Sequence, residues 1–369
     1  IVTTYKKIFK EEKPHCFCIS FRQKQGLDTN VDDVYYARKV AALNGAVLHE
    51  IEIEPDIVKL LPDIVYYLDE PQGDPAIINV KLISAIARDK GFKVLLSGAG
   101  GDDIFMGYRR HQLIYLKSLF GCVPPFMTKP LHWMFEKIPM NSMILRRIRR
   151  FLELFSLDMR EAIIESFDWL PKGYKFDLIS DLCSYANPLS IHLEQVAERL
   201  DPIHQILYLE SRGFLPDHNL NYNDKMGISE GVEIRVPFLD KELAEFVGRL
   251  PARLKIRIGE TKYVLKKMME KFLPKDIVYR PKVGFMAPLR EWIKGDLRPM
   301  VEDYLLDSPP GFLNSDRVRT LIKANENGRI DGAYTTRVWG GVVKAKGYLL
   351  PLASCLSPFV SHEATLPKS

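Results

Sequence analysis

The alternation of strand-like and helix-like segments in its first third constrains this chain most. Residues 15–21, 46–53 and 93–97 are short runs rich in apolar, branched and aromatic side chains, the pattern of strands. Between them, residues 32–43, 57–67 and 80–90 place apolar side chains at helical spacing. Strands separated by helices of about 10–15 residues imply crossover units and a parallel sheet. The order fits a doubly wound α/β domain whose first strand is expected upstream of Ile1. From about residue 113 the style changes. Residues 113–119, 131–137, 143–155, 159–166, 191–199 and 203–215 read as helices between prolines and polar turns, and 241–249 and 261–272 continue the pattern. The last stretch loses periodicity and reads as a loosely ordered tail. The expected organisation is an α/β nucleotide-binding part over 1–115, a mostly helical part over 116–350 and a tail over 351–369.

The third strand runs straight into Ser97-Gly98-Ala99-Gly100-Gly101-Asp102-Asp103, followed by Gly107-Tyr108. Ligands of open parallel sheets sit beyond the carboxyl ends of the strands, where this turn falls. Glycines let a backbone approach a ligand closely, and adjacent carboxylates suit Mg²⁺ carried with substrate phosphates. The same residues also fit an ordinary strand-to-helix turn with an acidic helix start.

Composition narrows the field. Of the 369 residues 46% are hydrophobic and 27% charged, as in a globular protein, and a net charge of +5 is too mild to imply a nucleic-acid partner. The basic cluster Arg146, Arg147, Arg149 and Arg150 reads as a solvated helix face. No run of about 18 uncharged apolar residues suggests a membrane span, and no signal peptide is visible. The five cysteines are Cys16, Cys18, Cys122, Cys183 and Cys355. They form no CxxC pair and no zinc-like spacing, which suggests a reducing, cytoplasmic setting.

Further along come Asn223 to Ser229, Glu233-Ile234-Arg235-Val236-Pro237-Phe238-Leu239-Asp240, Gly259-Glu260-Thr261-Lys262, and Arg280-Pro281-Lys282-Val283-Gly284-Phe285. Together with Ser97–Asp103 this series resembles the synthetase domain of the glutamine-dependent asparagine synthetase family. Its Ser-Gly-x-Gly-x-Asp-Glu turn, Arg-x-Pro-Phe-Leu-Asp segment, Gly-x-x-Lys helix start and Arg-x-Lys-x-x-Phe loop all occur here in order. Asp32 to Ile53, Asp69-Glu70-Pro71 and Tyr334 to Trp339 share the resemblance, which covers roughly 15–110 and 205–345.

The resemblance implies a sheet of the adenine-nucleotide α-hydrolase type and a two-stage reaction. ATP adenylates the side-chain carboxylate of aspartate; ammonia from glutamine, delivered by an N-terminal glutaminase domain, then displaces AMP. It further implies ATP contacts at Ile19, Ser97, Gly98 and Gly100, and Mg²⁺ on Asp102 with Asp103 beside it. Lys282 would stabilise charge as the adenylate forms, with Lys262 as a second basic group near the phosphates. Asp224 is a candidate base or orienting group, and equally an N-cap or surface carboxylate. Arg235 and Asp240 read first as structural, and Asp69 and Glu70 as a helix-end turn. Small-molecule substrates and the glutaminase domain are the expected partners, with a homodimer left open.

Two departures matter. Ile1 to Tyr5 resembles the helix that follows the family's pyrophosphate loop, so loop and glutaminase domain are expected upstream and the sequence as given is expected not to form the acyl-adenylate. Ala99 stands where aspartate-specific members carry glutamate, and Asp103 also replaces a glutamate. Alanine has no acid–base function, which opens the acceptor to another carboxylate, a surface-polysaccharide sugar acid or a peptide. A truncated, non-catalytic paralogue is the reading from a different class.

Overall fold

A computed structural model describes residues 1–21, 31–69, 72–120, 143–168, 187–280, 287–307 and 314–326. Helix α1 (Val2–Ile8) is followed by strand β1 (His15–Phe21), α2 (Val31–Asn44), β2 (Val47–Ile53), α3 (Ile57–Leu68), α4 (Ala76–Asp89) and β3 (Val94–Leu96). β1 and β2 pair in parallel, His15 opposite Val47 through Phe21 opposite Ile53, with α2 as the crossover such a pair requires. Strand β3 pairs in parallel with a much later segment, β4 (Glu233–Arg235). The described residues therefore show mixed α/β architecture with two parallel ribbons. Within them, β1 and β3 each pair along one edge only. The Phe92 ring spans the gap, 5.0 Å from His15 and 5.4 Å from Phe17.

The helical part begins with α5 (Gly101–Ile104) and α6 (Arg109–Leu119), then α7 (Met143–Ser156), α8 (Met159–Phe167), α9 (Pro188–Glu194) and α10 (Pro202–Leu209). From α10 the backbone runs without a break through a π-helix, Glu210–Leu220, into α11 (Asn221–Ser229). After β4 come α12 (Lys241–Arg249), α13 (Ala252–Lys255) and α14 (Tyr263–Met269).

Side-chain caps explain several boundaries. Asp158 and Asp201 accept the backbone N–H groups of Glu161 (2.9 Å) and Ile203 (2.7 Å) at the starts of α8 and α10. The helix expected over 191–199 is displaced to α9, because Asn187 caps Leu189 N–H at 3.0 Å and Pro188 takes the first helical position. The segments at 131–137, 334–339 and 350–369 lie outside the described residues.

Two apolar clusters form the interior. One joins α3, α4 and Met226 of α11 to Leu289, Trp292, Ile293 and Ile322. The other gathers α6 to α10 and Phe214 of the π-helix. The column 202–229 thus touches both. One sequence reading is corrected here: Arg150, expected on a solvated face, is half-buried and donates to the carbonyls of Glu165 and Asp168, the latter at 2.9 Å. No described helix is long and apolar enough to cross a membrane.

Candidate functional site

The two ribbons flank a cavity of about 1110 Å³. Its apolar lining comes from Val2, Phe17, Val80, Leu95 and neighbours; its polar lining comes from the turn after β3 and from Asp74, Tyr108, Arg110, Asn219, Tyr222 and Asn223.

Ser97 extends the β3–β4 ladder, its N–H donating to the Arg235 carbonyl at 2.8 Å, while its Oγ accepts from Ala99 N–H at 3.2 Å. Gly100 takes φ +82°, and a Cβ there would lie 2.5 Å from the Leu239 side chain. The glycine turn is therefore seated on the distant Pro237-Phe238-Leu239 segment, which physically accounts for the two motifs occurring together. Ser97, Gly98, Ala99 and Gly100 all line the cavity.

Asp102 and Asp103 occupy the first turn of α5 with different surroundings. The Asp102 carboxylate folds over Gly107, where an added Cβ would fall 1.6 Å from Oδ1. Its Oδ1 also meets Lys262 Nζ at 3.0 Å. Lys262 precedes α14 in the left-handed region at φ +55°, so the backbone bends the ammonium toward the turn at a conformational cost. Asp103 is only 2% exposed. Its Oδ1 accepts from Asn219 Nδ2 at 3.1 Å and its Oδ2 from the Tyr108 hydroxyl at 3.3 Å. Burial, reinforced by the Glu210 charge, pushes the Asp103 carboxyl up to about 7.

Behind Asp103 sits a buried ion pair. Arg110 donates to both oxygens of Glu210, at 2.6 and 2.8 Å, and His111 Nε2 lies 2.6 Å from Oε1. The guanidinium lies over the rings of Tyr108 (4.1 Å) and Phe214 (4.2 Å). Burial pushes the Glu210 carboxyl upward, but Arg110 and His111 outweigh it and hold it below the ordinary range. One turn further, His218 stacks on Phe214 at 4.6 Å. Its Nδ1 is 3.0 Å from Asn219 Oδ1, and its Nε2 is 3.5 Å from Asp74 Oδ2. Burial lowers its proton affinity. Glu210, Phe214, His218 and Tyr222 recur every four residues, so the π-helix and the start of α11 present one polar-aromatic face.

The structure gathers Ser97, Gly98, Gly100, Asp102, Asp103 and Lys262 of the sequence-selected residues. Ile19 is buried in β1 away from the cavity lining, and Asp224 is exposed on α11 while its neighbours Tyr222 and Asn223 line the cavity. Lys282 and Glu70 lie outside the described residues. Arg235 pairs with Glu233 at 2.9 Å, Asp240 caps Leu243 N–H at 3.1 Å, and Asp69 accepts from Lys225 at 2.9 Å. Sequence reasoning missed Asp74, Arg110, Glu210, His218 and Asn219. For Glu210 and His218 the detectable signal was their place, with Phe214 and Tyr222, on a repeat of four residues; Asp74, Arg110 and Asn219 lie off that repeat.

Mg²⁺ on a nucleotide asks for one or two carboxylates plus phosphate oxygens. Asp102, half-buried and facing the cavity, fits that demand. Asp103 spends both oxygens on Asn219 and Tyr108. Among the described residues no group of three or more His, Cys, Asp or Glu could hold a metal by itself.

Comparison with known proteins adds independent findings. The asparagine synthase family model matches residues 1–342. Asparagine synthetase [glutamine-hydrolyzing] 1 of Bacillus subtilis is 27% identical over 344 residues, spanning 90% of this chain and 53% of that protein. A putative asparagine synthetase [glutamine-hydrolyzing] of Mycobacterium bovis is 31% identical over 245 residues, 65% of this chain and 36% of its own length. The amidase chry2 of Gibberella zeae is 22% identical over 310 residues, 78% of this chain and 45% of that protein. The chain thus spans about half, or less, of the length of each.

Proposed function

This chain belongs to the asparagine synthase family, and from that premise we propose that it carries the ATP-dependent, amide-forming half of a glutamine-fed synthetase. The two parallel ribbons are read as parts of one doubly wound sheet of the adenine-nucleotide α-hydrolase type. ATP adenylates a carboxylate and releases pyrophosphate; ammonia from glutamine then displaces AMP to give the amide. The observation that supports this best is the Lys262–Asp102 pair beside the glycine turn at the cavity wall.

Each group has a task in this reading. The backbone of Ser97, Gly98 and Gly100 lets the nucleotide approach the turn closely. Asp102 holds the magnesium ion, which when bound neutralises phosphate charge. Lys262 offsets the negative charge that grows as pyrophosphate leaves, a fixed donor that needs no reorganisation during the reaction. Lys282 is assigned the same charge-stabilising work on the resemblance of its loop. Asp103 is a positioning group that ties α5 to the π-helix, and Ile19 and Asp224 receive no role.

Aspartate is the first acceptor to consider, with asparagine as product. Ala99 favours a second reading. It lines the cavity with a methyl group where a carboxylate is expected, leaving room for a different acid, such as a sugar acid or a peptide. The test is pyrophosphate release and ¹⁵N-amide transfer by the full natural protein, with aspartate and uronic acids compared. Pyrophosphate release dependent on both ATP and a carboxylate is expected. ATP binding without release for any acid tested would overturn the proposal.

A further inference from the structure

The mild overall charge conceals a strong local imbalance. Residues 249–280 carry ten lysines and arginines against three acidic residues, a net +7 in a chain whose total is +5. The stretch takes in the end of α12, then α13, α14 and the residues that follow. Most of its cations are exposed, among them Arg253, Lys267, Lys271 and Lys275. Lys267 pairs with Glu270 at 2.7 Å, whereas Arg253, Lys271 and Lys275 form no salt bridge among the described residues. Helix α1 joins the same face, because Lys7 Nζ lies 3.3 Å over the Phe272 ring, with Lys10 exposed just beyond the helix.

Large apolar side chains stand out between these charges. Ile8 and Ile258 are 66% and 67% exposed, and Phe9, Met268 and Phe272 are exposed with them. A single exposed hydrophobe is ordinary, but several set among unpaired cations mark a surface that meets something both anionic and apolar.

The residue types decide between partners. Protein interfaces are poor in lysine, and six of the ten cations here are lysine, so a protein partner fits badly. Single-stranded nucleic acid asks for free aromatic faces on which bases stack. Here Arg257 lies over Tyr263 at 3.5 Å, and Lys266 and Lys267 lie over Tyr279 at 5.5 and 5.7 Å, so the rings are met by the protein's own cations. An anionic bilayer asks for lysines at the headgroups and aliphatic or phenyl tips that enter the acyl boundary, which is the composition of this face.

We propose that the face formed by α1, α14 and the turn around Ile258 binds peripherally to the surface of an anionic phospholipid bilayer. The cations draw the protein to the headgroups, and Ile8, Ile258, Met268 and Phe272 hold it there by shallow insertion. Lys262 is turned toward Asp102 and takes no part, so binding is independent of the chemistry at the glycine turn.

Flotation of the full natural protein with lipid vesicles tests this. Vesicles of equal parts phosphatidylglycerol and phosphatidylcholine are compared with pure phosphatidylcholine, at about 0.1 M and about 0.5 M salt. At low salt at least about tenfold more protein is expected on the anionic vesicles, and the excess is expected to shrink at high salt. Lys271→Glu combined with Lys275→Glu is expected to reduce that binding at least about tenfold. Ile258→Ser is expected to weaken it at both salt concentrations, and both variants should keep the melting temperature and ATP affinity of the parent. No binding to anionic vesicles, equal binding to neutral ones, or a charge-reversed variant that binds like the parent would each overturn the assignment. So would capture of a single-stranded oligonucleotide in preference to the vesicles, which would give the face to nucleic acid.

Discussion

Lys262 sits at φ +55°, a conformation that costs an L residue about 1–2 kcal/mol and glycine little. Such strain at a charged side chain facing Asp102 marks a residue kept for its ammonium. Lys262→Gly is therefore expected to leave the melting temperature unchanged or raised, while pyrophosphate release falls about a hundredfold. Calorimetric melting and steady-state turnover check the two halves. Gly107 presents the converse case, because the Asp102 carboxylate occupies the space of its missing side chain. Gly107→Ala is expected to push Asp102 aside and weaken Mg²⁺-ATP binding at least about tenfold with little loss of fold, measured by nucleotide titration and circular dichroism. At this scale the sequence was informative where motifs recur in order: Asp102 and Lys262, which the resemblance put near one another, lie 3.0 Å apart. Asp74 carried no such signal, since nothing local distinguishes a loop aspartate that caps its own helix from one that also faces a cavity.

Elements were legible where period and cap agree. β1 coincides with the alternating run, and α12 begins where Asp240 caps Leu243. Strand β4 has three residues, too few to show a period of two, and only its partner β3 defines it. The π-helix was read as the tail of an ordinary helix, because its wider turn differs too little from 3.6 residues over eleven positions. That element depends on the Arg110–Glu210 pair. Arg110→Met, which leaves Glu210 buried and charged, is expected to cost about 3–5 kcal/mol in denaturant unfolding, while the double change with Glu210→Gln recovers part of it.

The short helix α13 carries a second buried cation. Lys255 is fully buried, donates to the Gly248 carbonyl at 3.1 Å, and is pushed down by burial to about 8 from an ordinary 10.5. Below pH 8 the folded and unfolded chains are both charged there, and the burial cost is constant. Between pH 8 and 10.5 the folded chain has released a proton that the unfolded chain retains, so this site's contribution to stability rises with pH. Lys255→Met should abolish that rise, as melting temperatures collected from pH 7 to 10 would reveal.

Across the whole molecule, one unbroken column, residues 202–229, reaches both apolar clusters and turns its polar-aromatic face to the cavity. The site is therefore held between two cores instead of perched on a loop, which suits a constellation that must stay in place. The family and the α/β style could be read from motif order and alternation. The depth of the site could not, because it depends on contacts such as Asp103 with Asn219, more than a hundred residues apart. Along the same cavity, β1 and β3 each pair along one edge only among the described residues, and Val94 is 41% and Leu96 46% exposed. Backbone groups in that state are a template for any extended polypeptide, and no lysine on β1 or β3 acts as a gatekeeper. Produced on its own, this stretch of sequence should be sticky: light scattering ought to climb with concentration, and Val94→Lys ought to suppress the climb. A solution that stays monodisperse at high concentration would show the edges to be shielded. The colloidal behaviour of that isolated stretch would then follow from its strand edges as much as from its composition.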